Sequence, residues 1–181
     1  YSGCMTQGQT LPALWLLSDR RNDAGLNDAL ARLPRGSGFV YRHYHLADSA
    51  RRQRFGELAA LARQRDHLVI LSDTAEQAEQ WLADGIYGPA DRLGQPGGPL
   101  RLATAHSGDE LQAAIEARAD GVFLSPVFPT ASHPGAPVLG AMGFHMLAQQ
   151  STIPVIALGG MDARRAEELG WPRWGAIDGL S

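Results

Sequence analysis

IPVIALGGMDARRAEEL, residues 153–169, decides how the chain is read. Its first six residues are too few for a helix and too uniformly apolar for a strand with one wet face. A parallel strand covered on both sides fits them. Gly159 and Gly160 follow as a turn that lets main-chain N–H groups approach a ligand, and Asp162 stands in the N-cap position before the helical run. The stretch is one βα unit with a candidate phosphate cradle at its turn.

Working outward, the same beat recurs. Short apolar runs stand at 13–18 (ALWLLS), 38–42 (GFVYR), 67–72 (HLVILS), 100–104 (LRLAT) and 120–125 (DGVFLS), with weaker ones at 85–87 (GIY) and 174–178 (WGAID). Stretches of helical spacing separate them, such as Phe55, Leu58, Leu61 and Ala62, or Leu111, Ala114 and Ile115 with Arg118 at the polar margin. Ser107 followed by Glu110 has the spacing of a capping box. About eight strands, each reached by a helix or a short crossover, predict an α/β fold of the compact (β/α)8 TIM barrel type rather than an open doubly wound sheet. The chain ends just after the last strand, so the last helix is expected to be missing or to lie beyond the residues given. Residues 1–10 read as an N-terminal segment of linker or non-native origin, and 11–181 as a single domain.

The formal net charge of −3 and the scattered arginines argue against a nucleic-acid partner. Cys4 is the single cysteine, which leaves no internal disulfide framework or Cys-based zinc cluster and suits a reducing cytoplasm. No apolar run has the length of a membrane span. A soluble cytoplasmic protein with no membrane partner is expected, self-associating as a homo-oligomer at the barrel edge left by the last helix.

In a barrel, residues that act on a ligand follow the strands. The polar groups there are Ser18, Asp19 and Arg20; Arg42 and His43; Ser72 and Asp73; Tyr87 and Asp91; Thr104 and His106; Ser125, Thr130, Ser132 and His133; Gly159 and Gly160; Asp178 and Gly179. Each has a plainer reading as well. Asp73 could cap the following helix, Arg42 could pair with Asp73 or Asp91, His106 could rest on a backbone carbonyl, and the hydroxyls of Thr130 and Ser132 could close a turn. His43 and His45 lack a third nearby ligand, which weighs against a metal there. The four tryptophans read as packing residues.

ATAHSGDEL (103–111), ADGVFLSPVFPTASHPGAPVLG (119–140) and IPVIALGGM (153–161), in that order and spacing, resemble the second half of the thiamine phosphate synthase/TenI family. LWLLSDR (14–20) resembles its first strand, and the resemblance runs over residues 11 to 179. It implies condensation of a hydroxymethylpyrimidine diphosphate with a thiazole phosphate, giving thiamine phosphate and pyrophosphate, with Mg2+ as cofactor. By resemblance Asp73 and Asp91 are magnesium ligands, Thr104 stands near the diphosphate and the developing cation, and Thr130 and Ser132 hold the thiazole phosphate and diphosphate region. Gly160, with its neighbour Gly159, and Gly179 offer main-chain donors to phosphate. Arg42 survives from a Gln-Leu-Arg-x-Lys motif whose glutamine and lysine are lost, Ser72-Asp73-Thr74 stands for Asn-Asp-Arg, and His133 replaces a lysine. These departures remove positive charge where most negative charge must be held, so weaker diphosphate affinity is expected. The family's other activity, aromatization of a thiazole tautomer, needs a proton-transferring residue, for which His106 and His133 are the candidates. A third reading, from a different class, is a non-catalytic domain that binds a phosphorylated ligand.

Overall fold

A computed structural model describes residues 10–181, so the expectation for the N-terminal segment falls, apart from Thr10, outside the described residues. Eight parallel strands close into a barrel in chain order: β1 (Leu14–Leu17), β2 (Gly38–Tyr41), β3 (Leu68–Leu71), β4 (Gly85–Pro89), β5 (Leu100–Ala105), β6 (Gly121–Leu124), β7 (Val155–Ala157) and β8 (Trp174–Ala176). Pairing of β8 with β1, Ala176 opposite Leu16, makes the closure. All eight runs read from hydrophobicity are strands, including the two weak ones.

Six helices lie in the crossovers: α1 (Leu26–Arg32), α2 (Asp48–Gln64), α3 (Ala75–Gln80), α4 (Gly108–Glu116), α5 (Gly140–Gln150) and α6 (Ala163–Leu169). The β4–β5 connection carries only a 3-10 turn, Ala90–Arg92, and another, Asp178–Leu180, follows β8. Side-chain oxygens start three of the helices. Ser107 accepts from the Glu110 N–H at 3.2 Å and Asp162 from the Arg165 N–H at 2.8 Å, while Thr74 accepts from the Gln77 N–H at 3.1 Å. The reciprocal half of the Ser107 capping box does not form. Glu110 accepts instead from the N–H of His106, at 2.8 Å.

Two apolar layers follow from the period-two alternation of the strands. Trp15, Leu17, Val40, Ile70, Leu102, Phe123 and Ile156 form one buried cluster with Tyr87. Their strand neighbours, such as Leu16, Phe39, Tyr41, Val69 and Leu71, belong to a second that includes helix residues Leu30, Phe55, Leu58, Leu111 and Phe144. Within the first, Phe123 stands edge-on to Trp15 at 5.5 Å and to Tyr87 at 5.2 Å between centroids. Interlocked aromatic and branched side chains make this interior a solid plug. The carboxyl ends of the strands are therefore left as the place for a ligand. Trp81, Trp171 and Trp174 pack against the outer layer, as their packing role predicts.

Candidate functional site

A hollow of about 400 Å3 opens where several strands end. Arg42 reaches it from β2, Tyr87 from β4 and His106 from β5. The β6–α5 loop contributes Thr130, Ser132 and His133, the β7–α6 turn Gly159 and Gly160, and the segment after β8 Asp178 and Gly179. Residues up to 137 positions apart in the chain thus share one cavity, because a closed barrel gathers all its strand ends at one rim.

The glycine turn is built for close approach. Gly159 has φ +99° and Gly160 φ +62°, and an added Cβ at Gly160 would lie 2.5 Å from the Pro129 carbonyl oxygen. At Gly159 the added atom would lie 2.5 Å from Pro126 Cα. Their carbonyls are used within the fold: Gly159 accepts from the Phe128 N–H at 3.0 Å and Gly160 from the Arg165 guanidinium. Neither glycine's N–H donates to another of the described residues. Successive free N–H groups at left-handed backbone form an anion-binding concavity. Thr130 lines the same hollow, and its hydroxyl accepts from the His133 N–H at 3.1 Å, so it closes the loop as the plainer reading has it.

Arg42 is held rather than free. Its backbone N–H donates to Ser18 Oγ at 2.7 Å, its Nε to the Ser18 carbonyl at 2.8 Å, and Nη2 to Asp19 at 3.2 Å. Its partner is Asp19, not Asp73 or Asp91. Ser18 is itself wholly buried and hydrogen-bonds His43 Nδ1 at 2.9 Å, while His43 Nε2 meets Asp23 Oδ1 at 2.7 Å. Burial lowers the His43 pKa, with Asp23 opposing. The ring is therefore neutral at pH 7, with Nε2–H donating to Asp23 and Nδ1 accepting the Ser18 O–H. For Asp23 burial would raise the pKa, but donation from His43 and Arg54 outweighs it and holds the carboxyl below its ordinary value. Tyr87 is pushed up to about 12 by burial and keeps its proton at the hollow's wall.

Four of the residues expected at the site do not line this hollow. Thr104 is half-buried on β5 opposite Phe123. Ser72 Oγ meets the Tyr44 hydroxyl and donates to the Tyr87 carbonyl at 3.3 Å. Asp73 Oδ2 pairs with Arg51 Nη1 at 2.7 Å and Oδ1 accepts from the Thr74 N–H at 2.8 Å, while Thr74 takes the capping role. Asp91 lines a separate hollow with Arg101 and the end of α4. Of the expected site residues, those in the turns after β6 and β7 thus meet at one hollow, whereas Asp73 after β3 is not in its lining. The donors expected for Mg2+ do not fit such an ion, since Asp73 is committed to Arg51 and Asp91 is elsewhere. Among the described residues no three His, Cys, Asp or Glu side chains cluster as a metal site.

His106 rests on a carboxylate and not on a carbonyl, with Nδ1 2.9 Å from Glu110 Oε2. Arg51 and Arg21 are the cations that the motif reading passed over. Arg51 sits in a helical run, ARRQR, with no spacing to single it out, and its three donors reach Arg42 O, Ser72 O and Asp73 only in three dimensions.

Residues 16–171 match the family described as thiamine monophosphate synthase. The chain belongs to that family. Among relatives of the thiamine monophosphate synthase family, the thiamine-phosphate synthase of Geobacillus thermodenitrificans is 35% identical over 122 residues, covering 59% of this chain and 55% of that protein. The Pyrococcus furiosus thiamine-phosphate synthase is 27% identical over 163 residues, 86% of this chain and 79% of the relative. A solved structure of thiamine phosphate pyrophosphorylase from Pyrococcus furiosus superposes with a TM-score of 0.74 at 25% identity, covering 91% of this chain and 84% of that one. The chain thus spans little more than half of the Geobacillus protein. None of the helices in the described residues is long and apolar enough to cross a membrane.

Proposed function

We propose that this family member condenses a pyrimidine diphosphate with a thiazole phosphate to give thiamine phosphate and pyrophosphate, both substrates entering the hollow at the barrel rim. The observation that carries the reading is the pair of glycines, Gly159 and Gly160, whose N–H groups donate to none of the described residues and which line the same cavity as Thr130 and Arg42, an arrangement suited to an anion. On this reading the thiazole phosphate rests on the glycine amides and the Thr130 hydroxyl. Arg42, immobilised by Ser18 and Asp19, faces the diphosphate. Departure of pyrophosphate breaks the bond to the pyrimidine methylene carbon, and the thiazole nitrogen lone pair forms the new bond. Charge leaves with the diphosphate, so the protein's task is to hold and stabilise anions and to align the two reactants. No step is assigned to Asp73 or Asp91. His133 lines the hollow with Thr130 and Ser132, where a ring N–H could donate to the leaving group. The test is formation of thiamine phosphate from the two substrates, with and without Mg2+, alongside calorimetry with thiazole phosphate. Product formation supports condensation. Tautomer conversion without it would transfer the reading to His106 or His133 as a proton carrier, and binding without any turnover would make the domain a ligand binder.

A further inference from the structure

The charged side chains that line the hollow, histidines aside, are Arg42 and Asp178, which cancel. A site for a diphosphate and a phosphate needs more positive charge than that. Arg165 reaches a lining atom, but it is committed to the Gly160 carbonyl with its guanidinium 5.2 Å from the centre of the Phe128 ring.

Arg21 is differently placed. It follows β1, yet its Nη2 donates to Ser132 Oγ at 2.9 Å and to Asp178 Oδ2 at 3.0 Å, and its Nε lies 3.4 Å from Asp178 Oδ1. Ser132 and Asp178 both line the hollow, so this guanidinium fork is one hydrogen bond from its wall on two sides. Nη1 also lies 3.3 Å from Asp19, the carboxylate that steadies Arg42. The Asp178 side chain is 55% exposed and that of Arg21 37%, so their pair is a solvated one of small net strength.

We propose that Arg21 is an anion-binding residue of this hollow and that Asp178 competes with the ligand for it. This rests on the reading of the hollow as a phosphate site. A phosphate or diphosphate presents two oxygens to the guanidinium fork much as a carboxylate does, with greater charge. The ligand displaces Asp178 into the solvent that already wets it, while Ser132 keeps its contact and fixes the direction of approach. Arg21 thereby restores, from the β1 loop, a positive charge beside the position where His133 stands in place of the family's lysine. Asp178 makes the site selective: an anion no stronger than a carboxylate does not displace it.

Calorimetric titration with inorganic pyrophosphate tests this in the wild type, R21Q, R21K and D178N, each checked for an unchanged melting profile. R21Q is expected to weaken binding about tenfold, the loss of one charge-assisted contact, with R21K recovering part of it. D178N is expected to tighten binding about threefold by removing the competitor. A purely structural Arg21–Asp178 clip predicts the opposite sign for D178N, because both variants would loosen the rim. Unchanged affinity in R21Q, or weaker binding in D178N, overturns the proposal and leaves the phosphate reading standing. No binding by the wild type overturns both.

Discussion

Ser18→Ala removes one oxygen from the wall behind the site. Ser18 is fully buried at the end of β1, and its Oγ accepts the Arg42 N–H at 2.7 Å while donating to His43 Nδ1 at 2.9 Å. Alanine fits the space but leaves a backbone donor and an imidazole acceptor without partners, since His43 is 1% exposed and water has no way to replace the hydroxyl. Each orphaned group costs roughly 1–3 kcal/mol, so a loss of about 3 kcal/mol is expected against a typical total of roughly 5–15. For a chain of this length that corresponds to a fall in Tm of about 6–12 °C. Urea unfolding with a fixed slope and a thermal melt measure it directly. The same variant loosens the strand end that carries Arg42, so pyrophosphate affinity falls with stability. A loss below about 0.5 kcal/mol would show that the Ser18–His43 link carries no weight, and the account of how Arg42 is held would have to be abandoned.

Acidification is expected to destabilise the fold through His43 and His67, both 3% exposed or less and both lowered in pKa by burial. The unfolded state takes up these protons first, near pH 6.5, so stability is full above that value and falls below it by up to about 1.4 kcal/mol per pH unit for each ring. Denaturant titrations at pH 7 and 5.5 check the sign, and a gain at the lower pH would refute it. Gly160→Ala must place a Cβ 2.5 Å from the Pro129 oxygen at φ +62°, so a loss of about 2 kcal/mol and of thiazole phosphate binding is expected, read by melting and calorimetry. Arg101, 3% exposed, donates to the carbonyls of Leu93, Gly94, Ala117 and Arg118 and so ties the β4–β5 connection to the end of α4. Arg101→Ala should cost about 3 kcal/mol by orphaning these acceptors, and it should leave the Km for thiazole phosphate unchanged, since the residue lies away from the site hollow.

The barrel was legible because its signals are local. Uniformly apolar runs such as HLVILS and IPVIAL can only be strands buried on both faces, and Ser107 and Asp162 mark helix starts within three residues of the groups they cap. Gly159 and Gly160 were legible for the same reason, since the left-handed backbone they require is a property of the turn itself. Thr130, Ser132 and His133 could be placed at a strand end from their order in the chain, and the closed barrel brings them to the hollow.

The partners of the charges could not be read this way. A sequence argument offered Arg42 two carboxylates, Asp73 and Asp91, and its pairing with Asp19 instead follows from the geometry of adjacent strands β1 and β2, which no spacing records. Asp73 looked like a metal ligand or a cap until Arg51 came off the first turn of α2 to claim it. Pairwise electrostatics depends on distance in space and on burial, and both are set only when non-adjacent loops meet. Hydrophobic period and turn chemistry, which act between near neighbours, therefore determined the fold and the cradle. Closure of the barrel alone decided which carboxylate each arginine at the rim meets.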